Sequence, residues 1–381
     1  MSRPIKVAVD LVYFTGRKGG TETYAKGLFP ALADAVPDFR FVGLTSRELG
    51  ATAPDWFPGE VRQLPVSGEN RLTWAAAEVA LVALAARRIG ADLLHSPANF
   101  GPAVRLLPTV VTIHDLLSFR HPELIQGRLA RGVSLLSKRA ARAATRVLTD
   151  SRSSAADIHQ YLGISPDRVD VVPLAASAPV PGVSDPRLLA ELGAPPGRRF
   201  VLTTGNRLPH KNFDVLLRAW AGLRQDQRPL LVITGSHGTD PLRPLVGELG
   251  LDRDVLLAGW LSAPTLETLY HFATFYICPS LFEGFGLPLL EAMQRGCPVL
   301  ASDIPVLREI GGDAVCYVDA RSPETLRAGC SAALANDVAL SRLAADGRRQ
   351  AGRFTWESTA AATAISYRRA LQAAKQVGVA T

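Results

Sequence analysis

Cysteine is scarce in this sequence of 381 residues, which contains only four. All four lie in the second half of the chain, without a C-x-x-C pair and without histidines at metal-ligand spacing. This pattern excludes a disulfide framework and a structural zinc site. We expect them to be small buried side chains. They are Cys278, Cys297, Cys316 and Cys330.

Long apolar runs and clustered metal ligands are also missing. No segment reaches the roughly 18 uninterrupted apolar residues of a membrane-spanning helix, and residues 1–10 carry no cleavable signal pattern. We therefore predict a cytoplasmic protein. No group of acidic side chains has the spacing of a metal site, so we expect no metal ion and no cofactor.

The net charge of +7 indicates an anionic partner. Zinc-finger spacing, an aromatic RNA-binding stretch and a lysine-rich tail are absent, so nucleic acid is not the expected partner. Arginine greatly outnumbers lysine and alanine is abundant, which suggests a GC-rich bacterial genome.

Short β-branched runs alternate with longer helical patterns along almost the whole chain. This alternation predicts an α/β protein with parallel sheets and crossover helices. A Pro-, Ser- and Ala-rich stretch at 175–186 separates two series of runs, so we predict two doubly wound, Rossmann-like sheets joined by a linker. The predicted strands are Lys6–Leu11, Arg40–Leu44, Asp92–His95, Thr109–His114, Arg146–Asp150 and Asp170–Pro173, then Phe200–Thr204, Leu230–Gly235, Val255–Ala258, Phe275–Cys278, Pro298–Ala301 and Val315–Val318.

The chain is longer than one hydrophobic core usually serves, which favours two domains. We assign residues 1–178 to an N-terminal Rossmann-like domain and residues 179–359 to a C-terminal Rossmann-like domain. A helix at about 360–381 is expected to pack back on the first domain. Ligands of doubly wound sheets bind at the carboxyl ends of the strands, and two sheets facing a central cleft would enclose a ligand.

The segment at 279–293, PSLFEGFGLPLLEAM, carries the clearest chemical signal. It follows a predicted strand and precedes a helix, so its backbone N–H groups lie at the positive end of a helix dipole, where phosphate binds. Carboxylates repel phosphate but accept hydrogen bonds from hydroxyls, so Glu283 and Glu291 are expected to face sugar rings. The alternative is a surface glutamate pair around a turn.

A second strand-to-helix junction, TTGNRLPHKN at 203–212, places Lys211 and Arg207 at the same edge of the second sheet. Cations at this edge can neutralise a diphosphate and stabilise a leaving group. The alternative is that both side chains are solvated in a loop.

Two features of the first half also suggest a ligand. Gly19 and Gly20 precede a helix and allow a ligand to approach the backbone, although the segment lacks the ending of a P-loop. His114 ends an apolar strand, where a polar side chain either serves a site or caps the strand.

Together these segments closely resemble the large retaining glycosyltransferase family 4, which has the two-domain GT-B fold. The family signature E-G-F-G-L-x-x-x-E is present from Glu283 to Glu291, and the resemblance covers nearly the whole chain. Further matches follow in the family order: GG before the first helix, IHD at 113–115, TDSRSS at 149–154, VVPLA at 171–175, GNRLPHKN at 205–212, AGWL at 258–261 and GCPVLASDIPVLREIGGDA at 296–314.

The resemblance implies that the N-terminal domain binds the acceptor and that the C-terminal domain binds the nucleotide-sugar donor. It also implies a role for each matching residue. Glu283 would hold the transferred sugar and Glu291 the ribose, and the backbone around Trp260 and Leu261 would meet the base. The implied catalytic residues are His114, Lys211 and Glu283, and the implied donor contacts are Gly19, Gly20, Arg207, Lys211, Trp260, Leu261, Glu283, Gly284, Phe285, Gly286, Leu287 and Glu291. The sequence departs from the family at His210 and Asn206, where many members carry an arginine, and this departure bears on the role of Arg207.

The implied reaction is the metal-independent transfer of a hexose-type sugar from a nucleotide-diphosphate donor to a hydroxyl acceptor, with retained stereochemistry. The acceptor would be a cell-envelope glycan, a lipid-linked saccharide or a natural product. A nucleotide-sugar epimerase or phosphorylase on the same fold is the alternative, and a binding subunit without activity is a third possibility. The sequence leaves the sugar, the base and the oligomeric state open.

One predicted helix carries basic residues within an arc of roughly 100°. This face would suit peripheral contact with an anionic membrane or a lipid-phosphate acceptor. The alternative is a solvated face over a core stripe. The residues are Arg128, Arg131, Lys138, Arg139, Arg142 and Arg146.

Overall fold

The computed structural model describes residues 3–15, 19–124, 128–180 and 184–376. It divides the chain into two compact units, Met1–Ala175 with Phe354–Thr381, and Ala176–Arg353. The dividing point lies within the Pro-, Ser- and Ala-rich stretch, whose sequence has no helical or strand periodicity. Each unit contains one parallel sheet.

The described part of the first unit is built on a seven-stranded sheet with the order β3-β2-β1-β4-β5-β6-β7. Strands β4 and β5 consist entirely of buried residues, as expected of parallel strands covered by helices on both faces. The strands are β1 (Ile5–Leu11), β2 (Phe39–Thr45), β3 (Glu60–Gln63), β4 (Leu93–Ser96), β5 (Thr109–Thr112), β6 (Arg146–Thr149) and β7 (Val169–Val171).

The helices of this unit connect the strands. One of them changes from α-helical to π-helical hydrogen bonding between α2 and α3, and another does so after α6. The elements are α1 (Gly20–Ala35), α2 (Arg71–Ala76), a π-helical segment (Ala77–Leu81), α3 (Val82–Arg88), α4 (Leu117–Arg120), α5 (Arg128–Ala143), α6 (Arg152–Asp157) and a second π-helical segment (Ile158–Leu162).

The second unit contains, within its described residues, a six-stranded sheet with the order β10-β9-β8-β11-β12-β13. The strands are β8 (Phe200–Thr204), β9 (Leu230–Thr234), β10 (Val255–Gly259), β11 (Phe275–Cys278), β12 (Val299–Ser302) and β13 (Cys316–Val318). The helices are α7 (Pro186–Glu191), α8 (Phe213–Ala221), α9 (Arg243–Glu248), α10 (Ala263–Phe272), α11 (Leu287–Gln294), α12 (Pro305–Gly311), α13 (Pro323–Leu334) and α14 (Asp337–Ala351).

Both sheets are doubly wound and therefore contain a point at which the strand order reverses. In the first unit this point lies between β1 and β4, and in the second it lies between β8 and β11. The helices that leave the two central strands run to opposite faces, which leaves a crevice at the carboxyl ends of those strands. The fold thus provides one natural ligand position in each unit.

The strand prediction is confirmed for twelve strands of the described residues, and only β3 was missed. Its sequence, EVRQ, contains a single apolar residue, and β3 is an edge strand. The prediction for β5 was two residues too long. The strand ends at Thr112, and His114 lies in the loop that follows.

The last helix, α15 (Trp356–Gln376), packs against α1 in the first unit. Gly27 of α1 makes room for this contact, because a Cβ there would lie 2.1 Å from the ring of Trp356. Farther along α15, the Tyr367 hydroxyl hydrogen-bonds to Nδ1 of the buried His95 on β4 (2.6 Å). A tail that is distant in sequence thus completes the core of the first unit.

The basic residues predicted for one helix fall on two elements, because α5 ends at Ala143 and Arg146 begins β6. They are partly engaged within the protein. Lys138 and Arg142 donate hydrogen bonds to backbone carbonyls of the second π-helical segment, at 3.0 and 3.3 Å, and Arg146 is ion-paired with a residue of β7. The side chains of Arg128 and Arg131 lie outside the described residues. Peripheral membrane contact therefore stays a prediction. Of the helices that are described, none is long and apolar enough to cross a membrane.

Two buried carboxyl groups, those of Asp10 and Glu78, meet near the carboxyl end of β1. Asp10 accepts hydrogen bonds from the Val12 backbone N–H (3.2 Å) and the Ser96 hydroxyl (3.0 Å), and Glu78 accepts one from the Trp74 indole (3.0 Å). Burial raises the pKa of Glu78 well above its ordinary value, and the charge of Asp10 raises it further.

A protonated Glu78 explains the geometry of this pair. Its Oε2 has no hydrogen-bond partner among the described residues. A buried carboxyl oxygen without a partner is less costly in the protonated, neutral group than in the ionised one, and the nearby charge of Asp10 favours the neutral group as well.

The raised pKa predicts a dependence of stability on pH. The unfolded carboxyl titrates near 4.5 and the folded one at a higher pH. Stability from this proton is therefore complete below the unfolded pKa and is lost as the pH rises through the folded pKa, by on the order of 1 kcal/mol per pH unit. Glu78→Gln keeps the shape without the titration, so its melting temperature should fall less than that of the wild type as the pH rises above the unfolded pKa.

The control for this measurement is Glu60→Gln, whose carboxylate is 58% exposed. It should melt with the wild-type pH profile. If Glu78→Gln also kept that profile, Glu78 would not be the group that holds the proton.

Candidate active site

Lys211 and Glu283 form a buried ion pair at the reversal point of the second sheet. Lys211 lies in the turn that follows β8, and Glu283 lies in the loop after the neighbouring strand β11. Nζ of Lys211 is 2.7 Å from Oε1 of Glu283, and the two side chains are only 12% and 10% exposed. The hydroxyl of Ser280 donates to the same carboxylate oxygen at 2.7 Å.

The environment keeps the Glu283 carboxyl ionised. Burial alone would raise its pKa, but the charge of Lys211 and the hydrogen bonds from Lys211 and Ser280 outweigh burial and hold the pKa below its ordinary value. An ionised carboxylate and an ammonium group are therefore held side by side in a nearly dry site. Such a pair can accept hydrogen bonds from hydroxyls on one side and bind an anion on the other.

The loop before α11 is fixed by its own sequence. Gly286 is the N-cap residue of α11 with φ 94°, and a Cβ there would lie 2.7 Å from the Leu307 side chain, so no other residue fits without strain. Phe285 is buried, and Gly284 and Leu287 are half-buried. The structure thus places the predicted donor-contact segment at the helix N-terminus, beside the ion pair.

Glu291 lies one turn into α11 and is also largely buried. Its Oε2 is 3.5 Å from the Tyr270 hydroxyl, and Arg295 of the same helix is nearby. Burial raises the pKa of Glu291, and Arg295 and Tyr270 oppose that rise without cancelling it. Arg295 is itself ion-paired with Glu267 at 2.9 Å.

Trp260 and Leu261 follow β10 at the same edge of this sheet. The Trp260 side chain is 61% exposed, which is unusual for so large an apolar group. Its indole stacks on the imidazole of His237, with ring centroids 4.6 Å apart and planes at 18°. One face of the indole is therefore supported by the protein.

Arg207 does not present its guanidinium to the edge of the sheet. It forms a buried ion pair with Asp240, with side chains 6% and 8% exposed. Its Nη1 also donates to the carbonyls of Gly205 (2.7 Å) and Thr234 (2.9 Å). The arginine thus holds the ends of β8 and β9 together, and its contact with a diphosphate stays a prediction.

His114 lies in the first unit, in the loop after β5. Its Nδ1 is 2.7 Å from Oδ2 of Asp150 and its Nε2 is 3.0 Å from the carbonyl of Pro97. Both partners are acceptors when Asp150 is ionised, so both ring nitrogens carry protons. Burial disfavours the charged ring, but the charge of Asp150 outweighs it and raises the pKa of His114.

Gly19 and Gly20 begin α1, after the reversal point of the first sheet. Gly19 is the N-cap residue with φ 63°, a conformation that favours glycine, and a Cβ at either position would meet no atom of the described residues within 4 Å. The roles of Gly19, Gly20 and His114 toward a ligand stay predictions.

Two asparagines were missed in the sequence. Among the described residues, only Asn99 and Asn212 combine a side chain with a positive φ, at 65° and 60°. Asn99 accepts a hydrogen bond from the His114 backbone N–H (2.6 Å), and Asn212 directly follows Lys211 and donates to the carbonyls of Pro279 and Ala320 (3.1 and 2.7 Å). Strained backbone of this kind clusters at functional sites. In the sequence, the adjacent Lys211 was the signal that could have drawn attention to Asn212. Asn99 is 15 positions from His114 and had no comparable signal.

Metal ligands are not gathered anywhere in the described ranges, where no group of three or more His, Cys, Asp or Glu side chains is arranged to hold an ion. The cysteines are free, with Cys278, Cys297 and Cys330 buried and Cys316 exposed. Burial raises the pKa of the Cys278 thiol to about 12.

Two family profiles match the chain in succession. The profile of Glycosyltransferase Family 4 matches residues 18–177. The profile of Glycosyl transferases group 1 matches residues 184–350. The two matches fall on the first and the second sheet respectively.

Individual proteins agree with the profiles. The MMP alpha-(1->4)-mannosyltransferase of Mycolicibacterium hassiacum is 31% identical over 307 residues, which cover 76% of this chain and 73% of that protein. The solved sucrose-phosphate synthase of Thermosynechococcus elongatus superposes with a TM-score of 0.75 at 20% identity, over 97% of this chain and 100% of the other. HepE of Anabaena, solved with UDP-glucose, gives 0.67 at 18% identity, over 99% and 100%.

The signature around Glu283 and Glu291, the two doubly wound sheets and these similarities agree with one another. The chain belongs to glycosyltransferase family 4 and is a glycosyltransferase with the GT-B fold.

Proposed function

We propose that this glycosyltransferase moves a hexose-type sugar from a nucleotide-diphosphate donor to a hydroxyl acceptor, with retained stereochemistry and without a metal ion. The observation that carries the proposal is the buried ion pair between Lys211 and Glu283, at the reversal point of the second sheet and before the N-terminus of α11. Uncharged ligands would not require a buried ammonium group at this place. A ligand with both anionic and hydroxyl groups uses both members of the pair.

The diphosphate is assigned to Lys211 and the start of α11. A buried lysine needs a counter-charge, which Glu283 supplies in the unliganded protein. When the donor binds, the diphosphate provides that charge and Glu283 turns to the sugar hydroxyls. The positive end of the helix dipole adds to the attraction.

The nucleoside is assigned to Glu291 and Trp260. Glu291 is placed to accept hydrogen bonds from the ribose hydroxyls. The exposed face of Trp260, backed by His237, offers a platform on which a base can stack, an interaction worth about 1–3 kcal/mol. The UDP-glucose bound to HepE supports a nucleotide sugar as the class of donor.

The same residues provide the chemistry. Charge develops on the diphosphate as the glycosidic bond breaks, and the ammonium group of Lys211 is already positioned to stabilise it. The departing phosphate then takes the proton of the acceptor hydroxyl on the same face of the sugar, which retains the stereochemistry. Lys211 and the helix dipole thereby replace the divalent cation that neutralises phosphate in other transferases.

A donor screen tests this proposal. Thermal shift with UDP-, GDP-, ADP- and dTDP-hexoses should identify one that raises the melting temperature, because a ligand selective for the folded state stabilises it. With a sugar or glycan acceptor this donor should give an acceptor-linked product of retained configuration, at the same rate in EDTA. Donor epimerised or consumed without such a product, or activity abolished by EDTA, would contradict the proposal.

Replacing Lys211 tests the assignment of the diphosphate. Lys211→Met keeps the aliphatic stem and removes the charge, so kcat should fall by about 10²-fold or more, as when one electrostatic group is lost from a transition-state site. The measurement is steady-state kinetics, with the melting temperature recorded because Glu283 loses its counter-ion. Lys26→Met is the control, since this lysine is 50% exposed and only loosely paired with Glu22. A near-normal kcat in Lys211→Met would refute the role.

The two signature glutamates should differ in their kinetic effects. Glu283→Gln should mainly lower kcat, because the sugar it holds changes charge in the transition state. Glu291→Gln should mainly raise the donor KM, because ribose contacts change little during the reaction. The matched control is Glu248→Gln on the exposed side of α9. Equal losses of kcat in both variants would overturn this division of roles.

A further inference from the structure

A cavity lined by arginines, called the arginine cavity below, lies in the second unit, at the sheet edge opposite to the candidate active site. It has a volume of about 720 Å³. The residues that lead into β8 and β9 form one wall, and the end of α8 and one face of α13 form the others. Five arginines line this cavity, and none of them has a role in the proposed function. They are Arg198, Arg199, Arg224, Arg228 and Arg327.

The positive charge of this cavity is only partly compensated by the described residues. Asp254 pairs with two of the arginines, Arg198 and Arg228, while Asp226 pairs with Arg224 and Asp337 with Arg199. Arg327 donates to the carbonyl of Gly222 at 3.3 Å, and its charge interacts with that of Glu324 on the same helix. Five guanidinium groups thus face four carboxylates, which leaves a net charge of +1.

Part of the arginine cluster has a structural explanation. Arg228 donates to the carbonyls of Ala221 and Leu223 at the C-terminal end of α8, at 2.8 and 2.6 Å, where cations complement the helix dipole. This explanation does not account for its Nε. That N–H group is buried and has no acceptor among the residues that the structure describes.

The Nε–H group of Arg228 has almost no exposed surface, so the exposed guanidinium groups around it are the ones available to a ligand in the cavity. The outward-facing Arg224, whose side chain is 73% exposed, and Arg327 flank the same cavity. Guanidinium groups bind phosphoryl oxygens in pairs and with defined geometry. Apolar side chains, among them Leu223 and Pro229, also line the cavity and can contact the rest of a ligand.

We propose that this cavity binds the phosphoryl group of a small metabolite, such as a sugar phosphate. The volume is within the range of small-molecule sites, roughly 300–1,000 Å³, and exceeds what inorganic phosphate alone fills. Five-residue strands such as β8 span about 16 Å. The cavity therefore lies about one strand length from Lys211 and is distinct from the donor position.

Calorimetric titration of the full-length protein tests the proposal. Glucose 6-phosphate and inorganic phosphate are titrated separately into the wild type and into the double variant Arg224→Ala/Arg327→Ala, whose exposed side chains are dispensable for folding. Two controls separate this site from others. Arg342→Ala removes an 85% exposed arginine outside the cavity, and Lys211→Met impairs the donor position.

Glucose 6-phosphate should bind the wild type, Arg342→Ala and Lys211→Met with equal affinity, and more tightly than inorganic phosphate. The double variant should bind it at least about tenfold more weakly, because the charge-assisted hydrogen bonds of two guanidinium groups are lost. Binding that is equal in the wild type and the double variant would overturn the proposal. So would binding lost in Lys211→Met, no binding up to about 10 mM, or a sugar phosphate that binds no better than inorganic phosphate.

Discussion

Burying an ammonium group beside a carboxylate is the constraint around which the second unit is organised. Removing two charges from water is costly, and a gap of 2.7 Å between Lys211 and Glu283 compensates only if both loops are held rigidly. The rigidity comes from the neighbours. Ser280 fixes the carboxylate, and Asn212 ties the lysine turn to the loop after β11. These polar contacts form a preorganised electrostatic site before any ligand arrives.

The first unit solves a similar problem with different residues. His114 is held between Asp150 and the carbonyl of Pro97, again at the carboxyl end of the strands. Asn99, in a left-handed conformation, fixes the backbone of His114. In each unit an asparagine with positive φ anchors the segment that carries a predicted catalytic side chain. Strain and charge are thus placed at the carboxyl ends of the strands, and the strands themselves are largely apolar.

Much of the fold could be predicted because parallel strands covered on both faces read as apolar runs. The edge strand β3 could not, since EVRQ has one apolar residue and its pairing depends on β2 alone. Residues with distinctive chemistry, such as Lys211 and Glu283, could be selected from the sequence, and the structure brings these two together. The environment of Arg207 could not be predicted in this way. The local sequence around an arginine beside a glycine loop is the same whether the side chain binds a phosphate or a buried aspartate. Here the partner is Asp240, 33 positions later.

The sequence by itself determined the family, the two sheets and the identity of the charged residues, because hydrophobic periodicity and short motifs are local properties of the chain. Only the tertiary structure decided which charges pair. The partners Lys211 and Glu283 are 72 positions apart, and Arg207 and Asp240 are 33 positions apart. The arginines of the arginine cavity come from three separate segments. Coulomb and hydrogen-bond energies depend on distances of a few ångströms and on exclusion of water. Those distances exist only once the strands have been brought side by side.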